Sequence, residues 1–361
     1  MFSHTDISLK VSYIISSEFC NNNIFQSGNS SLNSDGHLDH ILLLRQNLLR
    51  NKLDIGTWDI NTPEVSDLIL VENIFQQKPL EFFINLKKLG KPMVLIASES
   101  LAVLKENSNP KILSLFNHVF TYHDNVLENE STTRISKFNY TFDFPDEINA
   151  NDFCSNKLLC LIQSNKRSSH WHELYSERVR IIRWFEKYHP SKFSLYGQNW
   201  DKPEKAMVPW FRRKILHHGP WKRIFAKPFS SYKGLVESKH EVYQKFKFSL
   251  CFENVADISG YITEKIFDSM LAGNVPVYRG ADNISDYIPP DCFIDYRKFD
   301  TIAGLYQFLA NFTMGDYLKF IYAVNTFINS DKSSQFRHQH YVDSVSNVIL
   351  NLLDKASNAR S

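Results

Sequence analysis

The chain has 361 residues, a formal charge of only +2 and the apolar content of a folded protein. Such a length exceeds one small core and suits two α/β domains, while the near-neutral balance supplies no strong field for nucleic acid. No run approaches the ~18 apolar residues of a membrane span, and the N-terminus lacks a basic segment followed by a long apolar core, so a soluble or at most peripheral chain is expected.

In chain order, a first strand is expected near Lys10–Ser16, followed by a polar loop from Cys20 to Gly36. The run "HLDHILLLRQNLLRNKLDI" has the apolar spacing of a helix. A strand "DLILVEN", a helix around Leu80–Leu89 and a strand "PMVLIAS" follow. Strand and helix in alternation mean a parallel sheet with crossover helices. "ILSLFNHVFTYHDN" adds a short helix and a strand. The polar stretch Arg134 to Phe153, broken by Pro145, reads as a linker.

A second alternation then starts: strand "KLLCLIQSN", helix "SERVRIIRWFEKYH", strand "KFSLYG", helix "VESKHEVYQKF" and strand "KFSLCFEN". Next come a helix in "YITEKIFDSMLAG", with Ile266, Met270 and Leu271 as its core face and Gly273 as its stop, and the strand "VPVYRG". A helix near Ala303–Asn311 and a tail with Val342, Val345, Ile349 and Leu352 on one face complete the chain. The expected division is 1–150, 151–335 and a terminal helix over 336–361.

Two doubly wound domains facing each other place the C-terminal ends of both sheets on one cleft, where ligands of open α/β sheets bind. Three loops therefore carry the candidate chemistry. After "LCFEN" the chain enters a helix that Thr263 or a neighbour can cap, with Lys265 adding a full charge to an anion-favouring N-terminus. Taken alone, Glu264 reads first as a favourable first-turn acid and Lys265 as a solvated side chain. After Ser164 and Asn165 a helix begins near Ser176 and puts Arg178 in its first turn. A cation opposes the helix dipole there, which makes sense if it grips an anion, though a surface Arg among Arg180 and Arg183 reads as well. Glu99, at the end of "VLIAS", can serve as a general base or as a cap.

Five cysteines (Cys20, Cys154, Cys160, Cys251 and Cys292), odd in number and without a C-x-x-C, read as reduced thiols of a cytoplasmic protein. His170-Trp171-His172, His217-His218 and His338-Gln339-His340 have no neighbouring acid or thiol pattern that completes a metal ligand set. There is no D-x-D triplet, Walker A loop, G-x-G-x-x-G or G-x-S-x-G. Without a metal, a departing diphosphate must be neutralised by side chains and helix ends, a need Arg178 and Lys265 meet. The sequons at Asn139 and Asn311 read as chance matches. "FRRKILHHGPWKR" is a basic patch fit for a phosphate-bearing ligand or a membrane surface.

The stretch Tyr232 to Phe299 resembles the donor-domain signature of the α-1,3/4-fucosyltransferase family: Glu-Asn, a variable loop, Tyr-Ile-Thr-Glu-Lys, Val-Pro-Val and Pro-Pro-x-x-Phe-Ile. "SNK…SERVRIIRWFEKYHPSKFSLYGQNW" and "ASES…FNHVFTYHDN" are similar to its other segments, so the likeness runs from about Lys91 to Phe299. The resemblance implies an α/β GT-B fold: two Rossmann-like domains across a cleft, plus the C-terminal helix. It also implies inverting, metal-independent transfer of L-fucose from GDP-β-L-fucose, with no other cofactor, to a GlcNAc or Glc hydroxyl. Glu99 falls at the family's general-base position, Arg178 and Lys265 at diphosphate contacts, and Glu264 at a contact to donor hydroxyls. Asn254, Tyr261 and Thr263 match donor-loop positions, and Ser164, Asn165 and Tyr196 match the segments along the nucleotide. The implied partners are GDP-fucose and an oligosaccharide or lipid-linked glycan such as lipopolysaccharide O-antigen. The implied setting is a bacterial cytoplasm, with at most peripheral contact to the inner membrane. Rival readings are the same fold with another GDP-sugar, and a non-catalytic glycan- or nucleotide-binding protein.

Overall fold

The computed structural model describes residues 9–26, 36, 38–74, 79–100, 103–127, 134–201 and 228–359. The basic patch at 211–223, with His217-His218, lies outside the described residues. Two parallel sheets organise the chain. The first has the order β2-β1-β3-β4-β5-β6, built from β1 (Leu9–Ile14), β2 (Leu53–Thr57), β3 (Leu68–Glu72), β4 (Met93–Ala97), β5 (His118–Thr121) and β6 (Arg134–Lys137). The second has the order β11-β10-β9-β7-β8, built from β7 (Lys157–Ile162), β8 (Phe193–Tyr196), β9 (Phe246–Phe252), β10 (Val275–Arg279) and β11 (Ile294–Asp295). Both sheets thus repeat one winding: the first strand of each half lies between its second and third. Such a reversal point is where open α/β sheets take ligands.

The long helices are α1 (Asp39–Arg50), α2 (Leu80–Lys88), α3 (Tyr175–Tyr188), α5 (Glu264–Leu271), α6 (Ile302–Asn311), α7 (Met314–Ile328) and α8 (His338–Asn358), with the short α4 (Lys239–Tyr243) before β9. Four of these findings depart from the sequence reading. The first predicted helix ends at Arg50, because Asn51-Lys52 turns the chain with Lys52 at φ +62°, and Leu53 to Thr57 become a strand. Arg134 to Lys137 is the edge strand β6 rather than linker. In α5 the fully buried face is Ile266, Phe267 and Met270, with Leu271 only partly covered. Finally, α7 follows α6 directly. Thr313 caps it in a reciprocal box with Asp316, so the Asn311-Phe312-Thr313 sequon is a helix junction.

The halves are joined twice, side by side. Phe142 N–H donates to Phe336 O at 2.8 Å where the chain leaves the first sheet and where it returns to it. Beyond that return, α8 packs Val342, Val345 and Ile349 into the first half's core beside Leu44 and Leu48 of α1, and Leu353 is buried rather than Leu352. No helix among the described residues is long and apolar enough to cross a membrane.

Candidate active site

A cleft of about 370 Å³ lies between the C-terminal ends of the two sheets. The first half contributes Glu99 and Tyr140. The second contributes Ser164, Arg178, Asn254, Tyr261, Thr263, Glu264 and Lys265. Eight of the residues singled out in the sequence therefore line one space. Asn165 and Tyr196 do not. Asn165 Nδ2 donates to Asn199 O at 3.2 Å, tying its own loop together. Tyr196 packs beside Phe246, and it is the following Gly197 and Gln198 that reach the cleft.

Gly197 has to be glycine at this point. Its φ is +121°, and a Cβ would lie 2.2 Å from Gln163 O. The close approach seats Trp200, whose Nε1 donates to that same carbonyl at 2.6 Å.

The start of α5 is organised by a residue the sequence reading passed over. Glu253 follows β9 and is wholly buried. Its Oε1 accepts from Thr263 N at 2.8 Å, and its Oε2 accepts from Thr263 Oγ1 at 2.6 Å and Lys265 Nζ at 3.2 Å. Thr263 stands at the N-cap position but makes no side-chain cap bond. Its hydroxyl goes to Glu253 instead and accepts from Lys265 Nζ at 2.7 Å. Glu264 Oε1 lies 3.3 Å from Nζ. Burial opposes the lysine's charge, yet Glu253 and Glu264 outweigh it and hold Lys265 above the ordinary lysine range. The ammonium is fixed and charged at the mouth of α5, where the helix end also favours an anion. Two sequence signals point to Glu253: an acid directly after the apolar run "SLCF", and its place in the Glu-Asn of the family signature.

Arg178 is 2% exposed. Its Nη2 donates to Phe252 O at 2.7 Å and Glu253 O at 2.6 Å, its guanidinium lies 4.8 Å from the Tyr175 ring centroid, and its buried Nε has no partner among the described residues. Burial lowers its pKa to about 10, which leaves it charged at neutral pH. Arg178 is therefore not a surface arginine. Its neighbours behave differently: Arg180 pairs with Glu177 and Arg183 with Glu186. Asn254 joins the group weakly, with Oδ1 3.4 Å from Arg178 Nη2 and Nδ2 3.4 Å from Tyr261 OH.

Across the cleft, Glu99 Oε2 is buried without a hydrogen-bond partner among the described residues. Burial raises its pKa, Lys265 and Lys166 pull it down, and Glu264 adds to the rise. A carboxylate so placed has a higher proton affinity than a solvated one and an unpaired oxygen to take a proton with.

The loop carrying Tyr261 is gripped by the first half. The Tyr122 and Tyr261 rings lie 4.7 Å apart. Asp124 accepts from Lys137 Nζ at 2.6 Å, Asn283 Nδ2 at 2.9 Å and Tyr287 OH at 2.7 Å. Gly260, at φ +79°, passes so close that a Cβ would lie 2.4 Å from Tyr122 O. His170-Trp171-His172 stands in the loop after β7, and His338-Gln339-His340 at the start of α8. No three His, Cys, Asp or Glu side chains among the described residues group as a metal site. The cysteines are free, with Cys160, Cys251 and Cys292 buried.

Residues 155–324 match the family profile described as glycosyltransferase family 10 (fucosyltransferase), C-terminal part. An α-(1,4)-fucosyltransferase of Arabidopsis thaliana is 41% identical over 66 residues, 18% of this chain and 16% of that protein. An α-(1,3)-fucosyltransferase of Helicobacter pylori is 34% identical over 77 residues, 20% of this chain and 16% of that protein. A 4-galactosyl-N-acetylglucosaminide 3-α-L-fucosyltransferase of Mus musculus is 34% identical over 131 residues, 33% of each chain. The chain thus spans a third or less of the length of these curated relatives. Among solved structures, an α1,3-fucosyltransferase superposes with TM-score 0.54 at 14% identity, covering 98% of this chain and 92% of that one. The Anabaena protein HepE, in complex with UDP-glucose, superposes with TM-score 0.54 at 10% identity, covering 95% and 100%. At such identities the superpositions establish the fold alone, which is the two-sheet GT-B arrangement.

Proposed function

We propose, from the match of residues 155–324 to the profile of glycosyltransferase family 10, the fucosyltransferases, that the chain transfers L-fucose from GDP-β-L-fucose to a GlcNAc or Glc hydroxyl of a glycan, with inversion and without a metal. The acceptor in this reading is a surface glycan of the lipopolysaccharide type, and the linkage α-1,3. One observation carries the proposal: a carboxylate with an unpaired buried oxygen from one half and two fixed cations from the other line the same cleft.

The chemistry follows from that division. The acceptor hydroxyl lies against Glu99, whose carboxylate takes its proton as the oxygen forms the new bond to fucose C1. The bond from C1 to the β-phosphate oxygen breaks on the opposite face, and its electron pair leaves with GDP. Arg178 and Lys265, already held in place, offset the charge that develops there without having to reorganise. Glu264, on the first turn of α5, is placed to accept from donor hydroxyls. Tyr261, Thr263, Asn254 and Ser164 shape the pocket around it. Closure of two domains over the reactants excludes the water that would otherwise hydrolyse the donor.

The test is GDP release from GDP-fucose with lactose or N-acetyllactosamine as acceptor, with and without EDTA, and linkage analysis of the product. Transfer that persists in EDTA and yields an α-1,3 product supports the reading. Transfer only with an added divalent cation contradicts its mechanism, transfer only from another GDP-sugar contradicts its donor, and GDP binding without any transfer leaves a binding protein.

A further inference from the structure

The loop that carries Glu99 is held in an unusual way. All four backbone polar groups of the dipeptide Ser98-Glu99 are bonded to side chains. Asn73 Oδ1 accepts from Ser98 N and from Glu99 N, both at 2.9 Å. Tyr140 OH donates to Ser98 O at 3.1 Å, and Asn107 Nδ2 donates to Glu99 O at 3.1 Å. Asn107 Nδ2 also reaches Asn73 Oδ1 at 2.8 Å, and Asn107 Oδ1 accepts from Ile74 N at 2.7 Å, closing the ring of bonds. Asn73 itself sits at φ +62°, and Asn73 and Asn107 are 7% and 5% exposed. Neither asparagine lines the cleft.

From this geometry we propose that Asn73 and Asn107 are positioning residues for Glu99, clamping its backbone so that its carboxylate can face the cleft while Oε2 keeps no hydrogen-bond partner among the described residues. The proposal rests on the reading of Glu99 as the base. A carboxylate with one buried, unpaired oxygen would otherwise turn it toward the nearest donor. Here the chain on which it rides has little freedom to turn, because each of its N–H and C=O groups is already committed to a side chain, three of the four to buried Asn73 and Asn107. Asn73 is suited to this beyond its amide. Among residues with a side-chain acceptor, asparagine and aspartate tolerate the left-handed backbone that brings Oδ1 back over Ser98 and Glu99.

Two substitutions separate clamping from mere support of a turn. Glycine is the freest residue at φ +62° and removes the clamp. Aspartate keeps the accepting oxygen. We expect kcat to fall in the order native, Asn73→Asp, Asn73→Gly, with Asn73→Gly lower by about 10²-fold, as for a base displaced by about an ångström. KM for the donor and GDP affinity by calorimetry should not change. A Gly variant as active as the Asp variant or the native chain overturns the proposal, and so does a loss of GDP affinity that parallels the loss in kcat. If Asn73→Gly does not fold, Asn107→Ala carries the test, since it removes the donor to Glu99 O and leaves Asn73 in place. Lower kcat with retained GDP binding supports the clamp, and native kcat overturns it. Glu99→Ala is assayed alongside. If it stays active, the base reading fails, and the clamp with it. If it is inactive while Asn73→Gly and Asn107→Ala are fully active, only the clamp fails.

Discussion

The two halves end the same strand of the same winding with the same dipeptide, Glu72-Asn73 after β3 and Glu253-Asn254 after β9, and put it to opposite uses. In the second half the acid works outward. Glu253 bonds Thr263 and Lys265, so the atoms that meet a ligand are themselves held. In the first half the amide does the holding, and Asn73 grips the backbone N–H groups of Ser98 and Glu99. Glu72 faces away from the cleft, accepting from Ser98 Oγ at 2.7 Å and Tyr13 OH at 2.9 Å. An anion-binding group gains from being fixed at its charged tip. A base must keep its tip unpaired and be fixed by the chain behind it.

Substitutions can break that contrast, and the largest effect belongs to the open side. Glu99→Ala should lower kcat by about 10²–10⁴-fold, the usual scale of a lost general base, read by initial rates of GDP release. Next is the fixed side. Lys265→Ala leaves Glu253 buried without its cation, which should cost about 3–5 kcal/mol of stability, measured by urea unfolding. A smaller effect, visible only with pH, separates the two acids. Burial pushes Glu72 from 4.5 up to about 7. The folded chain therefore binds that proton more tightly than the unfolded one. The stability this contributes is complete below about pH 4.5 and is lost as pH rises through about 7. Glu72→Gln should raise the melting temperature at pH 8 and change it little at pH 4.5. The smallest change is expected from Lys166→Ala. Exposed Lys166 holds the Glu99 pKa down. Removing it should move the acid limb of the kcat/KM profile to higher pH, an effect that added salt reduces.

Most of this architecture was legible in the sequence. Strand cores such as "LILVEN" and "SLCFEN" are unbroken apolar runs, which a sheet covered on both faces requires. Glu99, Arg178 and Glu264-Lys265 stood out because charged residues at strand ends or in first turns need a reason. The remainder was hidden for physical causes. The turn at Asn51-Lys52 depends on a left-handed lysine, which carries no composition signal. The edge strand β6 is polar because one of its sides has no neighbouring strand among the described residues. The start of α7 was readable from Thr313-x-x-Asp316, but Phe, Tyr and Ile within it weaken helix propensity. Asn73 reaches backbone groups 25 and 26 residues away and is joined by Asn107 across 34, and no local pattern reports such contacts. Tyr196 and Asn165 show the converse. They belong to a segment along the cleft, yet the side chain of one turns into apolar packing and that of the other into its own loop.

The most direct measurement is calorimetric titration of GDP into the native chain, Glu99→Ala and Lys265→Ala. If one side of the cleft holds the nucleotide and the other performs the proton transfer, native and Glu99→Ala should bind alike, while Lys265→Ala loses affinity by at least about tenfold, as for one charge-assisted contact. Equal binding by Lys265→Ala, or loss of GDP with Glu99→Ala, would contradict the account.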